Sequence, residues 1–194
     1  MLAKEIKPYA SSVIVKLLNT DEIYDELILQ DQSDEDDIST RYGEVISIGP
    51  EVLTPIQCST LSVGDIAVFT EFAGHYLDTE DSESLFKVLR GFDIIAVIKE
   101  VKNMETLTPT GNRLVVEVKD IVKSDIIISN KDPKKAALTY GEIKLVGKDV
   151  TNKDLTIGKY VGFPPYVGTT VRHYESDDLL ELRVIVDYDI LFTV

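Results

Sequence analysis

Tyr42-Gly43-Glu44-Val45-Ile46, followed by Leu61-Ser62-Val63-Gly64-Asp65, decides the fold because both stretches return. They come back as Tyr140-Gly141-Glu142-Ile143-Lys144 and Leu155-Thr156-Ile157-Gly158-Lys159. Working outward, Ile6-Lys7-Pro8 with Val13-Ile14-Val15-Lys16 is answered by Leu107-Thr108-Pro109 with Leu114-Val115-Val116-Glu117. Phe92-Asp93-Ile94-Ile95 is answered by Tyr188-Asp189-Ile190-Leu191. Four landmarks in one order describe a duplicated domain, because the period is longer than that of stacked solenoid repeats. The 194 residues divide into two small domains, 1–100 and 101–194.

Within each repeat the local signal is strand. Short β-branched runs at 13–17, 43–48, 66–69, 85–89 and 94–98 are punctuated by Gly, Pro, Asp and Ser, and the second repeat has counterparts at 114–118, 141–146, 160–163, 179–184 and 189–194. No window sustains helical periodicity with caps. Five short strands in so small a unit predict an all-β chain of two closed or nearly closed β-barrels. Residues 19–39 and 120–137 resist strand assignment. The first holds nine carboxylates and no basic residue, and the second holds Lys131-Asp132-Pro133-Lys134-Lys135. Each contains one apolar island, Leu27-Ile28-Leu29 or Ile126-Ile127-Ile128. A long polar loop with an apolar plug is a segment that orders when the plug finds a groove.

Composition excludes several functions. The net charge of −14 is concentrated in residues 1–100, which carry 7 basic and 20 acidic side chains. A chain without a basic stripe cannot neutralise phosphates, so nucleic acid is excluded as a partner. No apolar run reaches membrane-spanning length, and residues 1–5 lead into the first repeat without a signal sequence, which predicts no membrane association and a cytoplasmic location. The one cysteine, Cys58, fits a reducing compartment and reads as a half-exposed loop thiol. One Cys and two separated histidines, His75 and His173, make no metal set, and no phosphate-binding glycine loop follows a strand. The chain has no legible catalytic, metal or cofactor residues and is expected not to be an enzyme.

The repeat resembles the co-chaperonin (GroES) family, the lids of chaperonin rings. The resemblance rests on Ile6-Lys7-Pro8 before Val13-Ile14-Val15-Lys16, on Thr40-Arg41-Tyr42-Gly43-Glu44-Val45, on Val63-Gly64-Asp65-Ile66 with Phe69 and Gly74, and on Asp93-Ile94-Ile95-Ala96. The second repeat keeps the order but has Gly158-Lys159 for Gly-Asp and no Arg before Tyr140. The resemblance implies two GroES-like barrels, each with a mobile loop whose apolar tripeptide binds a chaperonin. By position these tripeptides are Leu27, Ile28, Leu29 and Ile126, Ile127, Ile128. It further implies a roof hairpin at 50–60, reduced in the second repeat to 148–154. ATP would be bound by the partner GroEL-like ring and not by this chain, and the lids would form a homo-oligomeric ring. In that ring the last strand of one domain pairs with the first residues of the next, so residues 94–98 and 104–108 are expected to form a hairpin that copies the ring contact covalently. The residues up to Ile6 and the strand at 189–194 would be its open edges. The competing reading is a GroES-like structural or interaction protein, such as a viral one acting in host cytoplasm, that binds or inhibits a chaperonin without supporting folding.

Overall fold

Val13, Ile14 and Val15 are all buried, so the first strand, β1 (Ser12–Leu18), is covered on both faces. Stiff β-branched side chains suit such a position. The computed structural model describes residues 6–18, 40–53, 58–78, 84–99, 106–119, 138–175 and 178–193. These form two units, Met1–Gly111 and Asn112–Val194.

In the first unit β1 is joined by β2 (Thr40–Ile48), β3 (Ile66–Thr70), β4 (His75–Leu77), β5 (Phe86–Arg90), β6 (Ile94–Ile98) and β7 (Thr108–Pro109). They make one antiparallel sheet in the order β4-β5-β1-β2-β3-β6-β7. The second unit contains β8 (Arg113–Val118), β9 (Thr139–Val146), β10 (Tyr160–Phe163), β11 (Thr169–Glu175), β12 (Asp178–Val186) and β13 (Phe192–Thr193), in the order β11-β12-β8-β9-β10-β13. The two orders are the same strand for strand, with β7 added to the first. Register agrees too: Ala67↔Val97 and Val68↔Ala96 in one unit correspond to Val161↔Thr193 and Gly162↔Phe192 in the other.

The expected β-barrels are not formed, because neither sheet closes on itself. The first ends at β4 and β7, and the second at β11 and β13. Closure requires edge strands that meet with a consistent tilt and shear. Three-residue β4 and two-residue β7 and β13 offer too short a ladder for it. Register shifts at Ile14/Val15 and Val68/Phe69 bend the strands, as β-bulges do. One face of the first sheet packs Val13, Val15, Val45, Phe69, Leu89, Ile94 and Val97 together, while Ile14 packs in a second cluster with Phe86, Ile46 and Val88. The second core is built from Leu114, Val116, Ile143, Leu155, Val161, Phe163 and Ile185.

Two local findings refine the sequence reading. Cys58 is not a half-exposed loop thiol. It is 1% exposed and packs with Val52 and Leu61 in the first core. Its amide donates to the Val52 carbonyl at 3.0 Å. Among the described residues, neither 50–60 nor 148–154 contains a paired strand of the expected roof hairpin. The drift from Asp65 to Lys159 is tolerated because backbone bonds carry the turn. Gly64 N donates to Val45 O at 2.9 Å and Val45 N to Asp65 O at 2.9 Å, and the equivalent bonds join Gly158 N to Ile143 O and Ile143 N to Lys159 O at 2.8 Å each.

Candidate functional site

Leu27, Ile28, Leu29, Ile126, Ile127 and Ile128 lie outside the described residues. What the structure does establish is where their segments leave and rejoin each sheet. β1 and β2 are antiparallel neighbours whose last pair is Leu18↔Tyr42, and β8 and β9 are antiparallel neighbours whose last pair is Val118↔Gly141. Each segment therefore springs from the end of a two-stranded stem, at the same place in both units. The strands approach closely at the paired glycines. A Cβ on Gly43 would stand 2.9 Å from Val15 Cβ, and one on Gly141 would run into Val116 Cγ1. No larger residue fits without moving the stem.

The electrostatics of the stems differ. Beside the first, Arg41 Nη2 meets Glu71 Oε1 at 2.5 Å. Beside the second, the buried Glu117 carboxylate accepts from Lys119 Nζ through Oε1 and from Lys144 Nζ at 2.8 Å through Oε2. Lys144 also reaches Glu142 at 3.0 Å. Burial pushes the Glu117 carboxyl up, but the hydrogen bonds and charges of the two lysines outweigh it and hold the group below its ordinary value. Hydrogen bonds to Glu117 and Glu142 hold the Lys144 ammonium above its ordinary value. Lys119 follows β8 directly, so this network ties the exit of the second segment to β9.

The junction between repeats is paired as expected, with a shifted register. Val97↔Thr108 and Ala96↔Pro109 join β6 to β7, and Thr110 adds an N–H bond to Ile95 O at 3.1 Å and a hydroxyl bond to Ile94 O at 2.5 Å. Proline is tolerated in β7 because the strand is an edge. The first residues of the second repeat thus complete the first sheet, a role that Leu107, 3% exposed, shares by packing inward. Their apolar and Pro pattern matches Ile6-Lys7-Pro8 at the start of the first repeat.

Among the described residues no group of three His, Cys, Asp or Glu side chains is placed to hold a metal ion. His75 is exposed on β4, and His173 sits in β11 opposite Leu180. No described helix is long and apolar enough to cross a membrane.

The family model described as Chaperonin 10 Kd subunit matches the chain twice, over residues 5–98 and 106–192. No curated protein matches it. Proteins of the matched family are co-chaperonins without catalysis of their own, and they associate with GroEL-like rings. Two matches that account for nearly all of the chain, each covering the six corresponding strands of one of the two sheets, place this protein in the chaperonin 10 family as a tandem, two-domain co-chaperonin.

Proposed function

We propose that the chain caps a GroEL-like ring through Leu27-Ile28-Leu29 and Ile126-Ile127-Ile128, and that it supports folding driven by ATP that the partner binds and hydrolyses. The observation that carries this reading is the equivalence of the two stems: each apolar triplet lies on a segment leaving the same strand pair of a co-chaperonin domain. Moving three Leu or Ile side chains from water into an apolar groove is worth about 4–9 kcal/mol gross. Ordering the surrounding chain costs about 1–2 kcal/mol per residue. The two terms nearly cancel, so one segment binds weakly and several on one ring bind usefully. A lid that must leave on each cycle needs that balance.

The β6–β7 pairing supplies a register for assembly. By the repeat, Ala96 and Val97 correspond to Phe192 and Thr193, while Thr108 and Pro109 correspond to Lys7 and Pro8. Chains joined head to tail would then set Phe192 opposite Pro8 and Thr193 opposite Lys7 of the next copy, and such a contact closes into a ring where its rotation permits. The compartment we assign is the cytoplasm, that of the host if the gene is viral.

The test is ATP-dependent, reversible capture by a GroEL-like ring together with refolding of a denatured client. Leu27→Ser, Ile28→Ser and Leu29→Ser combined with Ile126→Ser, Ile127→Ser and Ile128→Ser should abolish both. Undiminished capping by that variant refutes the proposal, and capture without refolding favours a chaperonin-binding protein outside the folding cycle.

A further inference from the structure

Residues 9–12 and 110–113 occupy the same place in the two repeats and are built alike. Ala10 and Gly111 both have positive φ, 50° and 60°. Gly49 N donates to Ser12 O, and Gly147 N to Arg113 O, at 2.8 Å each. Ser12 pairs with Arg90 and Arg113 with Val186, the N-caps of two matching 3-10 turns. Tyr9 is therefore the counterpart of Thr110, yet their surroundings are opposite. Thr110 is 1% exposed, whereas Tyr9 keeps 87% of its surface in water.

Thr110 continues the β6–β7 ladder opposite Ile95. Its N–H donates to Ile95 O at 3.1 Å and its hydroxyl to Ile94 O at 2.5 Å, and Ile95 is left 8% exposed. In the second unit the position of Ile95 is held by Leu191, which follows the matching 3-10 turn by the same spacing. Leu191 is 57% exposed, and β13 beyond it ends its sheet. The chain thus carries one completed contact and the two exposed halves of another.

The two contacts differ in chemistry. A threonine hydroxyl sits on Cβ and turns back to the strand beside it. A tyrosine hydroxyl stands at the far side of a ring and cannot make the corresponding bond to Ile190 O. Tyr9 offers apolar area instead, and a buried aromatic side chain removes about 150–250 Å2 from water. Leu191 is the residue directly opposite Tyr9 in the register that sets Phe192 against Pro8, and such an aromatic–aliphatic pair stabilises antiparallel strands. An open edge accepts many strands; a leucine matched to a ring favours this one.

We propose that Tyr9 of one copy anchors on Leu191 of the next, giving the lid two unlike seams: a permanent one within each chain, closed by Thr110, and a separable one between chains, closed by Tyr9. This rests on head-to-tail assembly of the lid, whose partner is a second copy of this chain. Phe92, two residues before the carbonyl that Thr110 bonds, stays 45% exposed. Its counterpart Tyr188, 76% exposed, therefore stays outside the anchor and serves as the control.

Sedimentation velocity of the full-length chain over a concentration series gives the dissociation constant of the assembly. Tyr9→Ser and Leu191→Ser should each raise it by about tenfold or more, as truncating a central anchor does, and Tyr188→Ser should leave it unchanged. The melting temperature of each variant separates loss of assembly from loss of fold. Tyr9→Cys chains mixed with Leu191→Cys chains should form, under mild oxidation, a disulfide-linked pair far above the yield of either variant alone; Cys58 is buried and stays out of the reaction. An unchanged dissociation constant in both serine variants, or no mixed disulfide, overturns the proposal and leaves head-to-tail assembly standing. A parent chain that remains a monomer at every concentration, with or without a GroEL-like ring, sinks the assembly itself and this inference with it.

Discussion

Replacing Lys144 by Met tests the electrostatic account of the second stem. Met keeps much of the aliphatic stem and removes the charge that Glu117 and Glu142 share. Breaking a buried ion pair costs about 3–5 kcal/mol. Here the Lys144 side chain is 38% exposed and Lys119 stays bonded to Glu117, so solvent screening and the second cation cut the loss to about 1–2 kcal/mol. For a domain of this size that lowers the melting temperature by roughly 5–15 °C. The pH dependence is more diagnostic. A carboxylate held low in the folded state contributes stability above its unfolded value of 4.5, and that contribution is lost as pH falls through the folded value. An ammonium held high contributes stability below its unfolded value of 10.5, lost as pH rises through the folded one. The difference between parent and variant should therefore be full between these limits and shrink at both ends. Urea titrations at several pH values measure it, followed by circular dichroism or tyrosine emission, since the chain has nine Tyr and no Trp. A difference unchanged between pH 7 and pH 3 would show that Lys144 acts by packing and would refute the ion-pair account.

Two further outcomes follow from particular positions. Gly64 and Gly74 both have positive φ, but a Cβ on Gly64 meets nothing within 4 Å whereas one on Gly74 runs into the Val88 carbonyl. Gly64→Ala should cost about 1–2 kcal/mol of backbone strain alone, and Gly74→Ala about 1–3 kcal/mol more, by urea denaturation; equal losses would contradict the described turn. Cys58, packed among Val52 and Leu61, should react with Ellman's reagent only as fast as the first unit opens, and rapid reaction in the native protein would return it to a surface loop.

Strands built on β-branched runs such as Val13-Ile14-Val15 and Ile94-Ile95-Ala96-Val97-Ile98 were legible because they stand between Gly, Asp and Ser, where chain propensity and burial agree, whereas β4 and β11 were not foreseen and the strand expected over 189–194 is only β13. Closure was not, because it depends on tilt and shear accumulated over a whole sheet and on edge lengths that only pairing reveals. Cys58 is misplaced for a related reason: a lone small residue in a polar stretch gives no sign that its side chain is buried. The faintest trace is left by the cations over the turns after β3 and β10, where Lys87 donates to Glu71 O and Ala73 O and Arg183 to Pro165 O, beside exposed Phe72 and Tyr166. Lys87 and Arg183 occupy matched positions as different residues, and Phe72 and Tyr166 likewise, so letter-by-letter comparison of the repeats passes over them. Only the ladders, which set Lys87 against Val15 and Arg183 against Val116, bring the pairs into register.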